Sequence, residues 1–421
     1  MIKRVLAALT ASAMLLMTAC GDEAVVQEQK EVVEITLSWW GNDVRNEYTL
    51  EAVSRFEKKH PDIKVKCSYS EWSGYEARSK VQMMSGTEAD VMQINVGWLS
   101  QYSADGQGYY DIDTLSQYVD LSNFSSDILE YGRRNGVLNA IPIAMNAETV
   151  YVNKTVYEKY GLPVPTTWEE LFEAAKVMSA DEVYPISAAS KSAWLYVIAY
   201  AEQQNGKHFF NENSEITFDK EDLKLMIEFY NRLVKEKVMP KIEDYQRLSI
   251  DDGAYAATVA WVSDAVNYNG AAIEAGFEIV PAPYTADEGR QSGEGWYAKP
   301  ATLYAVSKNT EHPREAAMLL DFMLNSSEWA DLQGVEKGIP LSTAVREHLK
   351  ETGKLEGIQY EASLVMEENA SISPMNSLIE NTDLFDDFFD CCNLVLFDKA
   401  DADDAAQQLY DRYKERYSFA Q

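Results

Sequence analysis

The 421 residues suffice for about two or three domains with full cores, and 46% apolar, 25% charged and 11% aromatic is a globular composition. The formal net charge is −31. A field of that sign repels nucleic acid, anionic lipid and phosphorylated ligands, so no nucleic-acid partner is expected, while neutral ligands are unaffected.

The first twenty residues read as an export signal. Lys3 and Arg4 form the basic end, and residues 5–17 an apolar run too short to span a bilayer as a mature helix. The run ends Met17-Thr18-Ala19-Cys20, then Gly21 and Asp22. This resembles a bacterial lipobox with Met17 where leucine is usual; the alternative is an ordinary signal peptide with an incidental cysteine. As a lipoprotein, the chain would carry lipid on Cys20 and be held on the outer face of the cell membrane, residues 21–33 forming a solvated tether.

Residues 34–40 alternate Ile35, Leu37 and Trp39, which predicts a strand; a helix follows over 46–59 with Leu50, Val53 and Phe56 on one face, stopped by Pro61. Residues 62–69 alternate again (Ile63, Val65, Cys67, Tyr69). A helix over 75–85 ends at Gly86, a short apolar strand covers 90–95, and another helix spans 98–102. Strand and helix thus alternate, which predicts an α/β fold with a mainly parallel sheet covered on both faces. Ligands of such sheets sit outside the carboxyl ends of the strands. Those ends carry Trp39-Trp40-Gly41-Asn42, Glu71-Trp72 and Gln93-Ile94-Asn95: aromatic, amide and carboxylate, with no Lys or Arg.

Residues 139–154, NAIPIAMNAETVYVNK, hold two strands in series, 140–145 and 149–153. Asn146–Ala147 is a poor hairpin turn, so the stretch predicts an extended ribbon leaving one lobe and entering the next, with a cleft where it crosses. Two core strands of a single domain are the alternative. Beyond it, Thr167-Trp168-Glu169-Glu170 has capping-box spacing for a helix running to Met178. A strand over 184–188, helices over 193–204 and 221–237, and strands over 254–261 and 277–280 make a second α/β unit. Gly293-Glu294-Gly295-Trp296-Tyr297 reads as a glycine-flexed loop presenting two aromatics. Residues 302–307 predict a second crossing back to the first lobe, Pro313 opens a helix, and 384–417 is helical around a solvated turn at 401–404.

Taken in order, ITLSWWGND, FEKKHPDIKVK, ADVMQIN, LNAIPIAMNAETVYVNK, VPTTWEEL, VAWVSDA, GWYAKPATLYAVSKNTEHPREAAMLL and the Gly338-Ile339-Pro340 turn resemble extracellular solute-binding proteins of the large carbohydrate-binding group, family 1. The resemblance covers residues 34–421. It implies a two-lobed periplasmic-binding-protein-like fold (type II), each lobe a mostly parallel sheet flanked by helices, with the cleft at the hinge. It places residues 34–146 plus about 301–350 in the N-terminal lobe and 147–300 plus about 351–421 in the C-terminal lobe. The implied role is a monomer that closes on a carbohydrate and delivers it to the membrane permease of an ABC importer, whose ATPase is a separate chain.

Sugars are neutral, offer C–H faces and carry many hydroxyls, so their sites need flat aromatic surfaces plus amides and carboxylates. The candidate platforms are Trp40, Trp72, Trp261, Trp296 and Tyr297; the candidate hydroxyl partners are Asn42, Glu71, Asn95, Asn146, Glu148 and Asp264. Each has a structural alternative. Trp39 and Trp40 alternate across a strand, so one is core, and Trp40 is the one expected to face ligand. Trp261 ends a buried run, Asp264 stands where it can cap the next helix, and Asn146 and Glu148 can satisfy ribbon backbone. Trp98 and Trp194 read as core. The number of aromatics points to an oligosaccharide.

The rival is a secreted glycoside hydrolase, which needs two carboxyls about 5 to 9.5 Å apart; Glu71, Glu148, Asp264 and Glu294 are the ones available. No serine elbow or P-loop is present, and the four histidines are isolated, so neither a cofactor nor a metal is expected. Asp111-Ile112-Asp113 opens like a calcium loop, but Leu115 and Ser116 stand where a ligand and a glycine belong. Cys67 reads as a small buried hydrophobe, and a bridge from it to Cys391 or Cys392 is left open.

Overall fold

The computed structural model describes residues 32–369 and 371–420. The export segment, Cys20 and the tether as far as Glu31 lie outside them.

Between β1 (Val33–Trp40), β2 (Ile63–Ser70) and β3 (Val91–Ile94) the chain runs through helices, as the alternation of apolar periods dictates. A short pair, β4 (Arg133–Arg134) and β5 (Val137–Leu138), leads into the ribbon. The ribbon is one strand, β6 (Ala140–Asn153), and all fourteen of its residues are buried. Then come β7 (Ser187–Ala188), β8 (Ala257–Trp261), β9 (Ile279–Ala282), the return strand β10 (Tyr297–Val306) and β11 (Ser373–Pro374).

The main sheet is nine-stranded, in the order β2-β1-β3-β10-β6-β8-β7, with β9 on β6 and β11 on β10. Pairing is parallel within β2-β1-β3 and between β7 and β8. It is antiparallel wherever β6 or β10 meets β3, β8, β9 or each other. The physical reason is connectivity: a chain that leaves a lobe on one strand and comes back on its neighbour must run opposite to it. One mixed sheet therefore threads both lobes.

Each lobe has its own core, drawn from separated stretches of chain. The first packs Ile35, Leu37, Trp39 and Phe56 against Ala316, Leu320 and Trp329 from beyond the return strand. On the opposite face of the same strands lie Tyr75, Met92, Ile94, Trp98, Leu303 and Ala305. The second core joins Val150, Trp168, Trp194 and Tyr230 to Phe388, Phe389 and Tyr413 from the last two helices. Burying side chains of this size stabilises by about 1.5–3 kcal/mol each. Helix Trp168–Met178 begins in the capping box that its sequence spells, with Thr167 and Glu170 bonding reciprocally. Cys67 sits half-buried on β2, whereas Cys391 and Cys392 are inside the second core; all three are free, so the bridge left open is absent.

Candidate functional site

At the end of β1 the backbone alternation sends the two indoles apart. Trp39 goes into the first core, stacked on Tyr69 at 4.7 Å with its Nε1 donating to Asn46 Oδ1. Trp40 goes to the other face, edge-on to Trp72 at 4.9 Å and tilted over Tyr75 at 5.4 Å. Trp72 is 38% exposed. It belongs to helix Trp72–Ser85, which starts three residues earlier than its apolar period suggests, and its ring lies along Trp98 at 6.1 Å. Trp98 and Tyr75 are themselves parallel, 5.9 Å apart. Three independent strand ends therefore contribute to one aromatic wall. The polar candidates among them have local work: Asn42 Oδ1 accepts the Arg45 amide at 2.9 Å, and Asn95 Oδ1 accepts that of Gly97 at 2.9 Å, each as a helix N-cap. Glu71 occupies the third N-cap, exposed and without a side-chain cap bond.

The second group follows from the period of the ribbon. Ala140 packs in the first lobe's aromatic cluster, and Val150 and Val152 in the second core, all on the even face. Asn146 and Glu148 are the polar even-numbered residues between those cores. Lys299 lies opposite Asn146 on β10, and Trp261 opposite Glu148 on β8, so the four share a face. Asn146 is tied to Ser263 twice, Nδ2 donating to Oγ at 3.0 Å and Oδ1 accepting the amide at 3.1 Å. Glu148 is 2% exposed. Its Oε1 accepts the Ser192 hydroxyl at 2.9 Å, and its Oε2 has no partner among the described residues. Trp261 is buried under two ammonium groups, Lys299 at 4.5 Å and Lys191 at 5.5 Å from the ring centre. Both lysines donate to one carboxylate, Glu380, Lys191 to Oε1 at 2.9 Å and Lys299 to Oε2. Asp264 stands half-buried at the N-cap of helix Ala265–Glu274 but makes no cap bond.

Burial sets the charges here. It pushes the Glu148 carboxyl up to about 8, against the pull of Ser192 and Lys191, so the group is protonated at neutral pH. Burial likewise raises Asp264 and lowers Lys299, the latter despite Glu380. For Glu380 burial is again the largest influence, but Lys299 and Lys191 together outweigh it and hold the carboxyl below its ordinary range.

Two sequence expectations are corrected. Trp296 is 2% exposed, its Nε1 donates to the Thr285 carbonyl at 3.2 Å, and its ring packs on Tyr284 and Tyr196 in the second core. Tyr297 is buried too, its hydroxyl donating to the Glu202 carboxylate. The return strand begins at Tyr297, five residues ahead of the expected start, and draws both rings inward. Gly295 is the cause of the misreading: at φ +80, with the Ala199 carbonyl 2.6 Å from where a Cβ would be, it permits close packing against a helix rather than a flexing loop. Lys191, Ser192, Lys299 and Glu380 carry no motif; the register of β10 on β6 places Lys299, and tertiary packing of a helix and a 3-10 turn brings the other three.

A cavity of about 500 Å³ lies between the lobes, taking Val96 and Arg134 from the first, Lys299 and Pro300 from the return strand, and Pro374 and Met375 from the second. Among the described residues no group of three or more His, Cys, Asp or Glu side chains could hold a metal ion, and no helix is long and apolar enough to cross a membrane. The model of one family, bacterial extracellular solute-binding proteins, matches residues 51–356. The chain belongs to that family. An extracytoplasmic location goes with this membership. Among its relatives, the multiple sugar-binding protein of Streptococcus mutans is 23% identical over 73% of this solute-binding protein and 75% of the relative. A periplasmic oligogalacturonide-binding protein from Yersinia enterocolitica is 29% identical, with a TM-score of 0.79 over 91% of this chain and 98% of that one. A de novo designed cysteine esterase superposes at a TM-score of 0.85 and 28% identity over 92% and 98% of the two chains; the esterase activity belongs to that designed protein.

Proposed function

We propose that this solute-binding protein captures an oligosaccharide in the cleft between its lobes and hands it unchanged to the permease of an ABC importer, whose ATPase is a separate chain. Two observations carry this: a partly exposed aromatic wall, Trp40 and Trp72, at the strand ends of the first lobe, and the polar ribbon face of Asn146, Glu148 and Trp261. Rings cover the C–H faces of sugars, and buried polar groups reject analogues that leave them unpaired. The sugar-binding relatives in Streptococcus mutans and Yersinia enterocolitica support it. The lobes, residues 34–146 with about 301–350 and residues 147–300 with about 351–421, hinge about β6 and β10, as other periplasmic binding proteins close on ligands. The protein acts as a monomer, tethered through lipid on Cys20.

A carrier fits the carboxylates better than a hydrolase does. Glu294, one of the carboxyls a hydrolase would need, is ion-paired to Arg290 at 2.6 Å; the raised Glu148 does not separate the two readings, since a general acid also needs its proton. A thermal-shift screen over oligosaccharides, followed by product analysis, tests the proposal. Stabilisation without products is expected; ligand at about a hundred times its Kd adds about 2.7 kcal/mol. Turnover would replace the carrier with the hydrolase.

A further inference from the structure

On the polar ribbon face two lysines share one carboxylate, and a third cation, Arg134, lines the same cavity as one of them. Lys191 and Lys299 share the single carboxylate of Glu380. Glu148, beside them, adds no negative charge at neutral pH because burial keeps its proton on. Asp264 is raised by the same effect, with Lys191 and Arg247 opposing it. Arg134, lining the same cavity as Lys299, makes its side-chain hydrogen bond to the Arg133 carbonyl at 2.6 Å and no ion pair among the described residues. The acids at that cavity, Asp127 and Glu130, are exposed, and Glu130 stands 3.8 Å from Arg133.

The mostly buried Lys299 and the half-exposed Lys191 share one counter-charge between them, and a ligand anion would supply a second. The surplus is positive in a chain whose net charge is −31, so it is a property of this wall and not of the surface at large. Two lysines against one carboxylate leave room for one further negative charge, which suits a carboxylate better than a phosphate dianion. Glu148 Oε2, buried and without a partner, supplies an unused hydrogen-bonding position in the same cluster. Sequence reasoning from the strand ends, which carry no Lys or Arg, points to a neutral ligand because it sees the first lobe's wall alone.

We propose that the Lys191–Lys299–Glu148 cluster beside Trp261 is a subsite for the carboxylate of an acidic sugar unit. The subsite rests on the oligosaccharide-carrier function proposed above and narrows its ligand to carboxylated sugars. Two sources share this chemistry, uronate oligomers and sialylated oligosaccharides.

Calorimetric titration of the purified chain tests it with trigalacturonate, its methyl ester, sialyllactose, lactose and glucose 6-phosphate. At least one carboxylated sugar should bind about tenfold or more tighter than its neutral counterpart, and which acid does so identifies the source. Lys191→Met, at a half-exposed position that the fold tolerates, should lower that affinity by about tenfold while changing neutral-sugar affinity less than about threefold. Glu380→Gln removes the competing internal carboxylate and should act in the opposite direction, tightening the acidic sugar. Neutral sugars binding as well as the acids would overturn the subsite and leave the carrier standing. Tighter binding of the sugar phosphate, or unchanged acid affinity in Lys191→Met, would overturn it as well. Failure of every arm would remove the subsite and the carbohydrate function together.

Discussion

The two halves of the proposed site are built on opposite principles. The first-lobe wall is a run of rings, Trp40, Trp72, Tyr75 and Trp98, resting on one another and open at Trp72. The ribbon group buries its one indole under lysines and sets beside it one carboxyl kept protonated by burial, Glu148, and one held ionised by those lysines, Glu380. A flat apolar wall supplies contact area and tolerates many sugars. A charged, half-desolvated wall supplies discrimination, because mismatched partners leave its groups unpaired. In the proposed function, area and selectivity therefore come from different lobes, and closure would bring them onto one ligand.

The largest expected effect separates core from wall. Trp296→Ala should destabilise the protein by about 3–5 kcal/mol, since it empties a buried site against Tyr284 and Tyr196. Chemical denaturation showing less than about 1 kcal/mol would mean that the ring is not packed as described.

Next comes the pH dependence. Glu148 titrates near 8 in the folded protein and in the ordinary carboxylate range when unfolded, so folding holds its proton more tightly. The unfolded state thus binds fewer protons between those values, and stability falls as pH rises through the window. Lys191, Lys299 and Glu380 all act on the same group. Glu148→Gln should therefore be more stable than the parent at about pH 8, on the order of 3 kcal/mol, and little different near pH 4. Lys337 provides the reverse case in the first lobe. Burial brings it down to about 7, among Gln93, Tyr304, Tyr48 and Trp329. Its unfolded form binds more protons above that value, so its contribution to stability rises with pH, and Lys337→Met should gain most at and below about pH 7. Melting curves across pH that slope the same way in both variants would break the contrast.

Trp72→Ala should weaken oligosaccharide binding by about 1–2 kcal/mol and leave stability within about 0.5 kcal/mol, because the ring is partly open. Asn42→Ala should cost about 1 kcal/mol of stability through its lost cap and leave affinity unchanged; a loss of affinity without a loss of stability would promote Asn42 from cap to ligand contact.

What could be read from the sequence was what repeats at short range. The alternation in β1 separated Trp39 from Trp40, the spacing of Thr167 and Glu170 marked a helix start, and the missing turn at Asn146–Ala147 marked the ribbon. The ionic half of the proposed site was not legible, since Lys299 on β10 and Glu380 on a 3-10 turn meet across 81 residues through tertiary packing that no local pattern encodes. Gly295 misled for a different reason: glycine serves flexible loops and tight contacts alike, and which one applies depends on the helix packed against it.

Closure of one wall on the other is the claim on which the rest depends. Small-angle scattering of the purified protein, with and without a saturating oligosaccharide identified by thermal shift, measures it directly. The radius of gyration should fall on binding as the lobes rotate about β6 and β10; identical profiles with a ligand known to be bound would contradict the account.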